Sequence, residues 1–319
     1  MEKRKITFSP PDITEREIAE VVDTLRSGWI TTGPKTKKFE DEIAKYCGTK
    51  KAVALNSATA AMELALRLFD IGEGDEVITS AYTYTASASV VYHCGAKIIL
   101  ADTKKGEFNI DPKEIEKLIT PRTKAIIPVD IAGLPADYTE IFEVIEKKRN
   151  IFNAKKGTYQ EKLGRILVLA DSAHSFGSDY KEKKIGSVAD ITSFSFHAIK
   201  NLTTAEGGAL TWNLPENFDN EEIYKELMLL ALHGQNKDAL AKLKAGAWKY
   251  DIVMPGYKCN MTDIMASIGL VQLQRYDGEI LKKKEELVSY YEKYLGDLTD
   301  KIELPTFKNN IKESCKHLY

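Results

Sequence analysis

Short apolar runs rich in Val and Ile recur along the chain at 52–55 (AVAL), 76–79 (EVIT), 97–101 (KIILA), 124–129 (KAIIPV), 166–170 (ILVLA), 191–196 (ITSFSF) and 208–212 (GALTW). Most lack strict apolar–polar alternation, which predicts seven strands covered on both faces by helices. The intervening segments carry helical periodicity. Ile18, Val21, Val22 and Leu25 follow Thr14 on one stripe, and Phe39, Ile43, Tyr46 and Cys47 form another that stops at Gly48. Asp111-Pro112, an N-cap followed by an N1 proline, opens a helix with Ile115, Leu118 and Ile119 on one face. Strands alternating with helices predict an α/β fold built on a mainly parallel seven-stranded sheet.

After about residue 213 the strand pattern ends, and amphipathic helices are expected at 219–232 and from Thr262 to Leu295, the second broken near Asp277-Gly278. The division expected is a large α/β domain with an N-terminal arm over 1–245 and a smaller C-terminal domain over 246–319. The polar, basic segment 147–164 reads as a surface loop or insertion.

Composition narrows the function. The 319 residues are 43% hydrophobic and 29% charged, an ordinary globular balance near the upper size for one core. A formal charge of −2 provides no global field for nucleic acid or an anionic membrane, so an anionic ligand needs a local site. Four cysteines, Cys47, Cys94, Cys259 and Cys315, lie far apart without CxxC spacing, which suggests neither a disulfide framework nor a zinc or other metal site and fits a reducing cytoplasm. Met1–Ile6 is not followed by a signal-length apolar stretch, and no apolar run approaches the roughly 20 residues that span a bilayer. The chain is therefore expected to be cytoplasmic, without a membrane partner.

Three features stand at predicted strand ends, where open α/β sheets hold ligands. Asn56-Ser57-Ala58-Thr59-Ala60 joins a strand to an apolar helix, either as a phosphate cup or as plain capping. Asp171 follows the strand 166–170 with His174 three residues on; it reads as a carboxylate awaiting a cation or as a helix cap. The third is Ser193–Asn201, in which Lys200 ends an apolar strand among small residues, as an amine must be placed to lose basicity and attack a carbonyl. Together these are the three fixed points of a pyridoxal phosphate site: phosphate cup, pyridinium partner and aldehyde anchor.

At these residues the sequence resembles the sugar aminotransferases of the DegT/DnrJ/EryC1/StrS family, fold-type I pyridoxal phosphate enzymes. The matching strings are Ser27–Pro34, Gly72–Ile78, Ala170–His174, Phe194–Asn201, Ala205–Gly208 and Pro255–Asn260. Within the family the likeness is greatest to enzymes that aminate C4 of a nucleotide-linked 4-keto sugar, such as the UDP-4-amino-4-deoxy-L-arabinose/oxoglutarate aminotransferase. The resemblance implies that Lys200 anchors the cofactor and Asp171 keeps its ring nitrogen protonated, with His174 beside Asp171. It implies phosphate contacts from Ala58, Thr59 and Ser195, and ring stacking by Tyr84. Trp29 and Thr31 or Thr32 would lie near the sugar nucleotide, and Asn260 would reach the phosphate of a neighbouring subunit's cofactor in a homodimer with shared sites. Trp29 and Tyr84 also read as core aromatics, and Asn260 as a helix cap.

The implied reaction moves the amino group of glutamate to a UDP- or dTDP-linked 4-keto sugar, with release of 2-oxoglutarate, in polysaccharide or lipopolysaccharide sugar synthesis. A 3-keto-sugar aminotransferase and a truncated, non-catalytic paralogue are the alternatives. Two departures from the family pattern stand out. Asp130 occupies a place where many members carry His, and His317-Leu318-Tyr319 looks like the start of a family strand in a small domain that is then incomplete.

Overall fold

The computed structural model of the chain describes residues 9–236 and 249–319; the domain boundary expected at 245/246 lies outside them. The strands are β1 (Ala52–Leu55), β2 (Glu76–Ser80), β3 (Lys97–Ala101), β4 (Thr123–Ile127), β5 (Leu167–Asp171), the short hairpin β6 (Asp179–Tyr180) and β7 (Lys183–Lys184), β8 (Ile191–Ser195), β9 (Gly208–Trp212) and β10 (Lys312–Glu313). The helices are α1 (Glu15–Ser27), α2 (Pro34–Cys47), α3 (Ala58–Leu68), α4 (Ala86–His93), α5 (Pro112–Leu118), α6 (Tyr138–Lys147), α7 (Tyr159–Leu163), α8 (Asn220–Ala231), α9 (Asp263–Arg275) and α10 (Lys282–Leu295).

All seven expected strands form one sheet in the order β1-β9-β8-β5-β4-β2-β3. Neighbours from β8 to β3 run parallel, whereas β9 is antiparallel to both β8 and β1. Successive residues of a strand point to opposite faces, and here both faces are buried. Val53, Leu55, Leu167, Leu169 and Leu210 pack with α3 and α8, while Ala52, Ala54, Val168, Ala170 and Phe194 pack with α2, α6 and α9. This is why the strands read as continuous apolar runs.

Helix α1 corrects a sequence expectation. It forms where predicted, closed by a capping box between Thr14 and Glu17, but its buried residues are Glu17 and Thr24. Ile18 is 48% exposed and Leu25 53%. The inversion follows from Arg275 of α9, a guanidinium only 1% exposed that binds Glu17 at 2.6 Å, Glu279 at 2.7 Å and Asp12 at 3.1 Å. A buried cation requires its anions, and Glu17 turns the polar face of α1 inward to supply one.

The segment 147–164 also differs from the loop expected. It contains a 3₁₀ turn at Arg149–Ile151 and α7, and the buried Gln160 amide donates to the carbonyls of Phe69 and Asp70 just beyond α3. The expected break near Asp277-Gly278 is a π-helical turn, Tyr276–Leu281, between α9 and α10. Helix α9 packs against α1 and α2, while only Val288 is buried along α10. Strand β10 pairs with β6, and His317–Tyr319, expected to begin a strand, has no regular secondary structure.

Candidate active site

A cleft of about 500 Å³ opens at the carboxyl ends of β1, β5 and β8. Ala58, Thr59, Tyr84, Asp171, His174, Ser195 and Lys200 all line it, so seven of the sequence-derived candidates, scattered over 143 positions, meet in one place. The meeting is a consequence of topology: parallel strands β5 and β8 are neighbours, and β9 brings β1 alongside them.

One end of the cleft is the start of α3. Ser57 caps the helix through its hydroxyl, which accepts from the Ala60 N–H. The N–H groups of Ala58 and Thr59 belong to the first turn, which has no intrahelical partners, and none is found for them among the described residues. Gly208 permits this arrangement: a Cβ there would lie 2.4 Å from the Ala58 nitrogen. Glycine at the start of β9 thus lets a strand run against the helix terminus.

Asp171, the last residue of β5, is 4% exposed. Its backbone is fixed by its N–H donating to Pro128 O at 2.9 Å and its carbonyl accepting from Asp130 N–H at 3.1 Å. Oδ2 accepts from the Ser87 hydroxyl at 2.6 Å, and among the described residues Oδ1 accepts from the Ala173 N–H alone, at 3.2 Å. Burial pushes this carboxyl above the usual range, opposed by the Ser87 and Ala173 donors and by the Lys200 charge. A carboxylate so placed is stabilised as an anion by a cation beside it, which is what a protonated ring nitrogen provides.

Lys200 sits in the turn after β8, its N–H donating to His197 O at 2.9 Å. Burial lowers its basicity, and Asp171 opposes the shift. No ion pair of Lys200 is found among the described residues, which leaves the amine available. His174 accepts the Ala132 N–H on Nδ1 at 3.3 Å, and burial, then Lys200, holds it down to about 4, so it is neutral at pH 7. Its ring lies 4.4 Å from that of His317, which contacts Asn201 Oδ1 through Nδ1 at 3.0 Å and is depressed to about 2, chiefly by burial.

The remaining candidates form a second cluster. Asn260 donates to Thr32 Oγ1 at 2.6 Å, Thr32 donates to Met261 O, and Trp29 Nε1 donates to Thr32 O at 3.2 Å. Thr31 is exposed and accepts the Asp263 N–H at 3.0 Å. None of these four lines the cleft in this chain, and the N-cap of α9 is Thr262, not Asn260. Tyr84, which also read as a core aromatic, is 80% exposed at the cleft mouth.

Asp130, the departure from the family pattern, is fully buried behind the cleft. It accepts from Ala136 N–H and from the hydroxyls of Tyr138, Ser172 and Ser175, which fixes the turn that carries His174. Sequence reading missed Ser87, Thr83 and His317. Small hydroxyl residues in a helix or bend, as Ser87 and Thr83 are, carry no signal by themselves, and His317 is far from the cleft in sequence. Among the described residues no cluster of side chains could hold a metal ion, and no helix is long and apolar enough to cross a membrane.

The residues suit pyridoxal phosphate: a helix start with free N–H groups, a buried carboxylate with no ion pair and a lysine with no ion pair among the described residues share one cleft. Comparison with known proteins agrees. The chain is 44% identical over 311 residues to MJ1066 of Methanocaldococcus jannaschii, covering 97% of this chain and 74% of that one. It is 42% identical over 288 residues to the spore coat polysaccharide biosynthesis protein SpsC of Bacillus subtilis, covering 90% and 68%. The PMP form of Spr1654 from Streptococcus pneumoniae, assigned as a sugar aminotransferase, superposes with a TM-score of 0.94 at 54% identity over 99% of this chain and 78% of its own. Its PLP form gives 0.93 at 52% identity, covering 99% and 77%. The DegT/DnrJ/EryC1/StrS aminotransferase family matches residues 11–319, and the chain belongs to this family of pyridoxal phosphate-dependent sugar aminotransferases.

Proposed function

We propose that this chain transfers the amino group of glutamate to the 4-keto carbon of a UDP- or dTDP-linked keto sugar, releasing 2-oxoglutarate, in the supply of amino sugars for polysaccharide or lipopolysaccharide synthesis. The observation that carries the reading is the convergence of Lys200, Asp171 and the α3 N-terminus in one cleft. The relatives' names support a sugar substrate, and the name of SpsC supports polysaccharide synthesis. The choice of C4 rests on the likeness of Phe194–Asn201 and Pro255–Asn260 to enzymes that aminate that carbon.

When bound, pyridoxal phosphate supplies an aldehyde that takes up an amine and a ring that draws off the electron pair of the bond broken at the amino acid's α-carbon. Lys200, its basicity lowered by burial, is the amine that would hold this aldehyde and would serve as the base for the α-proton. Asp171 would hold the proton on the ring nitrogen, and His174, held down to about 4, would support the ring beside it. Ala58 and Thr59 would hold the phosphate through N–H groups, with hydroxyls from Thr59 and Ser195, and Tyr84 would supply the aromatic face for the ring. Trp29 and Thr31 or Thr32, which lie outside this chain's own cleft, would lie near the nucleotide sugar only where a second copy brings them to a cleft.

A homodimer with shared sites belongs to the same reading. The uncovered apolar residues Ile13, Ile18 and Val22 border a groove of about 330 Å³ with Ala198 and Ala205, beside the Lys200 turn, and a second copy would cover it. Asn260, outside this chain's cleft, then reaches the partner's phosphate. Four free cysteines favour a reducing cytoplasm as the working compartment.

The direct trial is incubation with UDP- or dTDP-4-keto-6-deoxyhexose and glutamate, following 2-oxoglutarate release and the visible band, with Lys200→Ala as control. Activity on 3-keto sugars alone overturns the C4 assignment. Folded protein that stays colourless with added cofactor overturns the enzyme reading in favour of a non-catalytic paralogue.

A further inference from the structure

Two hydroxyls stand in series behind the Asp171 carboxylate. Ser87, fully buried in the first turn of α4, lies 2.6 Å from Asp171 Oδ2, and Thr83 Oγ1 lies 2.8 Å from Ser87 Oγ. The direction of the chain follows from proton counting. Asp171 as a carboxylate only accepts, so the single Ser87 hydrogen goes to it, and the contact with Thr83 must be donated by Thr83. The alternative acceptor for Ser87, the Tyr84 carbonyl, is at 3.5 Å. Thr83 borders the cleft, so the relay runs from the cleft wall to the buried carboxylate.

The rest of the Asp171 environment makes this relay consequential. Its other oxygen receives one donor, the Ala173 N–H at 3.2 Å from its own turn. A buried carboxylate with so few donors drifts toward its neutral form, and a hydroxyl already polarised by a second hydroxyl is a stronger donor than one alone. Ser87 also fixes the carboxylate's rotation, since its oxygen is carried on a helix packed against the sheet.

We propose that Ser87, polarised by Thr83, is a positioning residue that keeps Asp171 ionised and aimed at the cofactor's ring nitrogen, and so decides where the proton between them resides. The proposal rests on the reading that Asp171 faces that nitrogen. Without the Ser87 donor the carboxylate becomes more basic, and the proton shifts from nitrogen toward oxygen. A hydrogen bond to a charged group corresponds to a change of about one to two pH units in that balance.

The test is nitrogen-15 NMR of the holoenzyme carrying cofactor labelled at the ring nitrogen, as wild type, Ser87→Ala and Thr83→Ala. The expected result is a protonated wild-type nitrogen, a resonance in Ser87→Ala moved toward that of neutral pyridine, and a smaller displacement in the same direction in Thr83→Ala. Thr83 is half-buried, so its variant remains readable if Ser87→Ala folds poorly. If both variants keep the wild-type resonance while losing only thermal stability, Ser87 is merely structural and the proposal fails. An unprotonated nitrogen in the wild type overturns the Asp171 reading itself, and this proposal with it.

Discussion

Replacing His317 by Phe should flatten the acid side of the stability curve. In the native chain His317 is depressed from 6.5 to about 2, by burial first and then by His174, Lys200 and Lys284, and His174 is depressed to about 4. Between pH 6.5 and 4 the unfolded chain therefore binds protons on both rings that the native chain refuses, so stability falls as pH falls through this window. For His317 the interval is about 2.5 units at 1.36 kcal/mol each, or about 3 kcal/mol as an upper value. The buried Asp130, Asp171 and Glu40 carboxyls, all pushed upward, act in the opposite sense, but they are common to both proteins and cancel in the difference. Phe keeps a ring against His174 and removes the titration. Urea unfolding of cofactor-free protein at pH 7, 6, 5 and 4.5 measures the slopes. The wild type should lose about 2–3 kcal/mol more than His317→Phe across the window. Parallel curves, within about 0.5 kcal/mol, would show that water reaches His317 and that the ring pair imposes no such cost.

Arg275→Met should cost about 3–5 kcal/mol, because Glu17, 1% exposed, is left as a buried anion without its cation; adding Glu17→Gln should recover much of that loss in urea unfolding. Gly208→Ala should weaken cofactor binding at least about tenfold in absorbance titrations, since its Cβ would meet the Ala58 nitrogen at 2.4 Å and push away the helix start expected to hold phosphate. Asp171→Asn should still bind cofactor while turnover falls by the equivalent of several kcal/mol; near-normal turnover would remove Asp171 from the chemistry.

The sheet was legible because its strands are buried on both sides. Val53 and Ala54 each meet a core, so hydrophobic runs, not alternation, marked most of the strands; the edge strand β3, with Leu100 56% exposed, was read from its run alone. The three fixed points of the site were legible for a related reason. Asp171 is a polar group closing the apolar strand β5, and Lys200, expected to end its strand, follows β8 in the turn five residues beyond Ser195; a charge drawn out of water at either place is costly without a ligand or partner. What supports them was silent. Ser87 reaches Asp171 across 84 positions, and His317 reaches His174 across the whole second half of the fold. Asp130, which stands where many family members carry His, fixes the His174 turn from behind, a role that its four donors reveal only in three dimensions.

Helix α1 shows the limit of pattern reading most directly. Periodicity identifies the helix and its apolar stripe, but it cannot decide which stripe faces the chain's own core. Here the decision lies with Arg275, more than 250 residues away, whose buried charge draws Glu17 inward and turns Ile18 and Leu25 outward. Burying both at roughly 25 cal/mol per Å² of apolar surface would favour the opposite rotation by a few kcal/mol at most. Stranding a buried guanidinium costs about as much or more, so the polar face wins. The apolar stripe is thereby left at the edge of the Lys200 turn, where only a surface from outside the described residues can cover it.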